Sequence, residues 1–208
     1  MSEAVAAVDL DAQQRDTLTE LVLHGMYRGD LSDTQQRLVD AGLAAARGTV
    51  LMPTQPGVQA VSRMLACEKG SETERKVYQL FTSFLPINRK LREVCTDWQR
   101  LPDGSANDHT DATWDAGVRD RLEDIDAGAG RIIKRLSAVD PSFEHYRNDL
   151  SSALHNFDAG DNSALTSPLT DSYHNVWMWL HQHLLLMLGL SRKEDEELEE
   201  KLCREQTG

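Results

Sequence analysis

Residues 31–61 read LSDTQQRLVDAGLAAARGTVLMPTQPGVQAV. Ser32 suits a helix N-cap, because its hydroxyl can accept from the N–H three residues on, and Gln35 at that position can return the bond. Leu38 and Val39 then face inward, and Gly42 ends the helix by taking the left-handed closing conformation. Val50, Leu51 and Met52 read as a short strand. Pro53, Pro56 and Gly57 force a turn, and Gln59 onward returns to helix.

Working outward, Leu18, Leu21 and Val22 recur at helical spacing between Arg15 and His24. A helix, a short helix ending in Gly-Leu, an Ala/Arg/Gly stretch, a strand, a Pro/Gly turn and a further helix make the skeleton of a winged helix, placed at residues 13–66. Only GMYRGDL (residues 25–31) separates the first helix from the Ser32 cap. That is short for the full helix that usually precedes a recognition helix, so the unit is abridged or residues 24–31 form a single turn. The first ten residues lack periodicity and are expected to be disordered.

The rest reads as helix. Val77, Leu80, Phe81, Phe84, Leu91, Cys95 and Trp98 lie near one stripe, which Pro86 is expected to kink or interrupt. PDGSANDHTD (102–111) is a loop by composition. Val118, Leu122, Ile125, Ile132 and Leu136 mark a second stripe, and Phe143, Tyr146, Leu150, Leu154 and Phe157 a third, opened by Pro141. The segment around 173–188 is apolar on more than one face and reads as a central helix. Such stripes need one another for burial, so residues 67–190 are expected to form an antiparallel helical bundle. Residues 191–208 form a charged C-terminal helix or tail outside it, with Ser191 and Glu194 as a capping box. The expected fold is therefore mainly α, an N-terminal winged helix with a small β-wing followed by a C-terminal antiparallel bundle.

The 208 residues carry 22 Lys plus Arg against 34 Asp plus Glu, a formal net charge of -12. This excludes nucleic-acid binding through bulk charge. Residues 1–69 are net -3, 70–140 net -2 and 141–208 net -7. Three cysteines make neither a disulfide scaffold nor a clustered soft-metal site. No stretch is long and apolar enough to span a bilayer, and Met1 to Leu10 is not a basic leader, so a cytoplasmic location is expected. There is no Gly-rich phosphate loop, so no cofactor is expected, and no catalytic residue is assigned.

Two sets of residues are functional candidates. On the helix over Thr34–Ala41, Gln35, Gln36 and Arg37 would face a major groove, where Gln pairs with adenine and Arg with guanine; Arg47 at the wing base would meet a phosphate. Asp30, Asp33 and Asp40 flank that helix and oppose such contact. In the bundle, His174, Trp177 and His181 fall at i, i+3 and i+7, sharing a face. A pocket lined by Asn88, Arg92, Trp98, His174, Trp177 and His181 would suit a small anionic or aromatic effector, with Arg on the anion and indoles on the flat face. The same residues also fit a purely structural role, with the indoles filling volume and the histidines bonded to carbonyls. His174 and His181 are about 10 Å apart along a helix, too far to share one zinc.

CTDWQ (95–99), NDHTD (107–111) and LTSPLTDSYHNVWMWLHQHLLLMLG (165–189) resemble a helical region of actinobacterial winged-helix (MarR-like) proteins of unassigned function. The resemblance spans roughly residues 13–190, although RLVDAGLAAARG (37–48) is generic to winged helices. Some of these chains resemble additions to phosphoenolpyruvate-utilising dikinase-like proteins. The resemblance implies a two-part architecture and a regulatory or partner role near phospho-substrate metabolism. It carries no catalytic residues.

These readings lead to a winged-helix transcriptional regulator that contacts duplex DNA and whose bundle senses an effector and forms a homodimer. One alternative is a protein-interaction or accessory module, in which Gln35, Gln36, Arg37 and Arg47 form no shared basic ridge. Another is a metal-dependent enzyme, which requires His109, His174 and His181 to converge.

Overall fold

A computed structural model describes residues 9–207, with side chains through residue 205. The chain divides into two compact units. One holds the residues up to Cys67 together with Leu185–Leu190; the other holds Glu68–Leu184 and the residues from Ser191 on.

The first unit opens with α1 (Ala12–His24), followed by β1 (Tyr27–Arg28), α2 (Asp33–Asp40), β2 (Ala44–Arg47), β3 (Val50–Pro53) and α3 (Gln55–Leu65). The strands form an antiparallel sheet in the order β1-β3-β2. This is a winged-helix-like topology with a single helix between β1 and β2. Asp11 caps α1 and Ser32 caps α2, each in a reciprocal capping box with a glutamine three residues on. The end of α2 follows from Gly42 at φ 71°: Leu43 N donates to Leu38 O at 2.9 Å and Gly42 N to Val39 O at 2.9 Å. This is a Schellman closure, and it delivers both leucines to the core. Gly48 (φ 59°) opens the two-residue hairpin between β2 and β3, as a type II′ turn requires.

Four expectations change here. The stretch GMYRGDL is neither a helix nor a lone turn, because Tyr27 and Arg28 pair with Leu51 and Val50. The last helix starts at Gln55, not Gln59: Thr54 caps it and Pro56 sits in its first turn, where the missing N–H has no intrahelical acceptor to lose. The expected disorder of residues 1–10 lies outside the described residues for 1–8, but Leu10 is buried and joins the core of Leu18, Leu21, Val22, Leu38, Leu43, Leu51 and Val61. Leu186 belongs to that same core, and Met187 O accepts from Cys67 N at 2.8 Å. Residues 185–190, expected to belong wholly to the bundle, thus complete the first unit.

The second unit is an all-helical bundle of α4 (Glu72–Gln99), α5 (Ala112–Ser137), α6 (Glu144–Asp158), α7 (Ser163–Thr166), the bundle part of α8 (Tyr173–Leu188) and α9 (Arg192–Thr207). Pro86 does not interrupt α4, which runs unbroken. Pro141 opens a 3₁₀ turn, Pro141–Phe143, that leads into α6. The stripes read from the sequence are buried: Val77, Phe81, Phe84, Leu122, Leu136, Phe143, Tyr146, Leu150 and Phe157 have essentially no exposed surface. Phe84 stacks on Trp177 with centroids 4.5 Å apart. No described helix is long and apolar enough to cross a membrane.

Candidate interaction face of the winged-helix unit

Each side chain expected to read bases is already engaged inside α2 or its cap. Gln35 accepts from Ser32 N at 2.9 Å. Gln36 Nε2 donates to Asp40 Oδ1 at 2.9 Å, and Arg37 Nη2 donates to Thr34 Oγ1 at 3.1 Å. The Asp40 carboxylate therefore neighbours the one Gln that points outward from mid-helix. Arg47 lies elsewhere, exposed at the hairpin end of β2.

The sheet offers a different surface. Directly opposed residues in an antiparallel ladder share a face, and the face alternates along each strand. Leu51, opposite Tyr27 and Ala46, lies on the core side. Arg28, Val50 and Arg47 are in register on the other side, and Ala45 and Met52 lie next to them. Arg28, Arg47 and Ala45 are exposed, and Met52 keeps 40% of its surface in water. Among the described residues, neither arginine side chain has a hydrogen-bond or ion-pair partner. The solvent face of the sheet is thus two open guanidinium groups flanking an apolar strip. Met26, Tyr27 and Met64 are further exposed apolar side chains of the same unit. Nothing in the period-2 pattern revealed this face, because β1 is two residues long and β2 is mostly alanine.

In the bundle, the structure brings together three of the six residues expected around one effector pocket, Asn88, Trp177 and His181. Asn88 and Trp177 are buried and bonded to each other, Nε1 of the indole donating to Oδ1 at 3.0 Å. His181 packs on Phe81 and Phe84 and pairs through Nε2 with Asp195 of α9 at 3.1 Å. Arg92 is exposed and paired with Glu199. Trp98 lies among His109, Phe157 and Arg119, and its Nε1 donates to Asn162 O at 3.2 Å. His174 is half-buried, and burial lowers its pKa. Asn88, Trp177 and His181 serve the core, so these six do not line one cavity.

The three histidines required by the metal-enzyme reading are apart. His181 faces Asp195, whereas His109 holds Asp115 through Nδ1 at 3.1 Å beside Asn107 and Trp98. Among the described residues, no group of three His, Cys, Asp or Glu side chains is placed to hold a metal ion. Burial pushes the Cys95 thiol up to about 12, which removes it as a nucleophile.

The sequence reading missed the two buried polar centres that anchor the bundle. Asp126 accepts both guanidinium nitrogens of Arg147, at 2.9 and 2.8 Å, and the Tyr173 hydroxyl at 3.1 Å. His183 stacks on Phe143 at 4.4 Å and lies 3.3 Å from the Tyr146 hydroxyl. The signal for the first was an Asp placed beside Ile125 on an otherwise apolar stripe. The chain matches no family model, no curated protein and no solved structure.

Proposed function

We propose that the chain is a protein-interaction module whose winged-helix-type unit docks an acidic, apolar-bearing partner protein on the solvent face of its sheet. The observation that carries this reading is the engagement of Gln35, Gln36 and Arg37 within α2 and its cap, set against the unpartnered Arg28 and Arg47 beside Val50 and Met52. Base readout needs free bidentate side chains on a helix held in the groove. Here Asp30, Asp33 and Asp40 also face any phosphate approaching α2. Winged helices serve protein contacts as well as DNA, so the topology suits either use.

A second reading, a DNA-binding MarR-like transcription regulator with an effector-sensing, dimerising bundle, is favoured by the winged-helix-like topology and by the same two arginines as phosphate contacts. Photocrosslinking separates the two. A crosslinker at position 52 is expected to give protein adducts in cells that Arg28→Glu/Arg47→Glu removes, and one at position 36 to give no nucleic-acid adduct. Nucleic-acid adducts at position 36, with sequence-dependent duplex binding in anisotropy titrations, would establish the regulator instead.

A further inference from the structure

Ile87 of α4 meets the backbone of Gly128 in α5, and Asp97 of α4 pairs with Arg121 of α5, so the two helices run antiparallel. Between these contacts they leave a cavity of about 370 Å³. Its floor is apolar: Ile87 and Val94 from α4, Ile125 and Gly128 from α5. Gly128 lets Ile87 and Arg131 close over this floor, since a Cβ there would stand 2.9 Å from Ile87 Cδ1 and 3.8 Å from Arg131 Nη2. The Arg131 guanidinium is therefore folded back over the floor.

The rim carries Lys90 and Glu93 from α4, and Arg121, Asp124 and Arg131 from α5. Arg121 is tied to Asp97 at 2.7 Å, and Glu93 lies 3.9 Å from Arg89. Among the described residues, neither Lys90 nor Arg131 has an acceptor. Two open cations thus stand on opposite helices over one apolar floor, in a chain of net charge -12. A larger cavity of about 510 Å³ between α4 and α9 is different in kind: Arg92 already holds Glu199 and Arg89 holds Cys203.

We infer that the α4–α5 cavity binds a small amphipathic anion, its apolar body on Ile87, Val94, Ile125 and Gly128 and its carboxylate or sulfonate between Lys90 and Arg131. A volume near the lower end of the usual ligand range, with an apolar floor and a few converging charges, is what such a ligand needs. The cations act at a rim where an Arg can form a bidentate pair and a Lys a point contact. Asp124, also on the rim and without a partner among the described residues, disfavours a second negative charge, so the ligand is a monoanion.

The test uses the full chain and two probes. Anilinonaphthalene sulfonate, an aryl monoanion, is titrated by fluorescence, and octanoate is used to displace it, with octylamine as the tail-matched cation. Saturable binding at one site per chain is expected, displaced by octanoate and not by octylamine. Lys90→Glu/Arg131→Glu, two exposed positions that leave the core intact, is expected to weaken both probes at least tenfold with an unchanged urea midpoint. Gly128→Leu is expected to block the site by filling it. No saturable binding, equal displacement by octylamine, or unchanged affinity in the charge-reversed variant would overturn the assignment.

Discussion

Gly57 and Gly128 both lie inside helices, and their neighbours give substitution opposite meanings. A Cβ at Gly57 would stand 2.1 Å from the backbone carbonyl oxygen of Leu43, which cannot move without opening the Schellman closure of α2. Gly57→Ala is expected to destabilise the first unit by about 1–3 kcal/mol in urea unfolding, as overpacking against a fixed atom does. At Gly128 the obstacle is the far end of a half-buried isoleucine. Helix propensity favours alanine over glycine by about 1 kcal/mol, so Gly128→Ala is expected to be neutral or stabilising in the same assay. His183 adds a pH dependence. Burial pushes its pKa down from 6.5 to about 4, with Asp140 and His145 acting weakly in opposite directions. The native state thus holds the ring neutral, while the unfolded chain takes up a proton near 6.5. Its contribution is complete above that value and is lost as the pH falls from about 6.5 to about 4, amounting to about 3 kcal/mol. His183→Phe, which keeps the stack on Phe143, should flatten the slope of stability against pH in that window; an unchanged slope would assign it to other groups.

Among the elements, α9 shows how a strongly acidic helix is held. Asp195 is buried against His181, Arg92 holds Glu199, and Arg192 donates to Gln182 at 3.0 Å. Asp195→Ala leaves His181 without its partner, and is expected to release the helix: amides of residues 192–205 should exchange faster while those of α4 and α5 keep their protection. The elements also show what a sequence discloses. The caps at Ser32 and Ser191 and the Gly42 stop were legible because each depends on local hydrogen bonds among residues three to five apart. The apolar stripes were legible because burial follows the helical period. β1 was not, because a two-residue strand has no period and exists only through its pairing with β3. The start of α3 was misplaced because Pro56 reads equally as a turn residue and as a first-turn helix residue. Of the six effector residues, His174, Trp177 and His181 were grouped on one α8 face, with Asn88, Arg92 and Trp98 brought to them from α4. Which partner each meets is a property of the other helices: Asn88 for Trp177 and Asp195 for His181.

At the scale of the whole molecule, the two units share α8 in sequence but not in packing. Its residues to Leu184 belong to the bundle and its end belongs to the winged-helix-type unit, where Leu186 fills the core. Leu186→Ala is expected to cost about 2–5 kcal/mol. The loss should appear as faster amide exchange in α1 and α3, although the substitution lies far from both in sequence. Exchange confined to α8 would show that Leu186 contributes little to that core. The same arrangement bears on how the protein is made. Cys67 is synthesised about 120 residues before Leu186. At the usual elongation rate of about 5–20 residues per second, that delay is on the order of ten seconds. For that time the unit of α1 to α3 waits with its hydrophobic interior unsealed, and it closes only once Leu186 has been made.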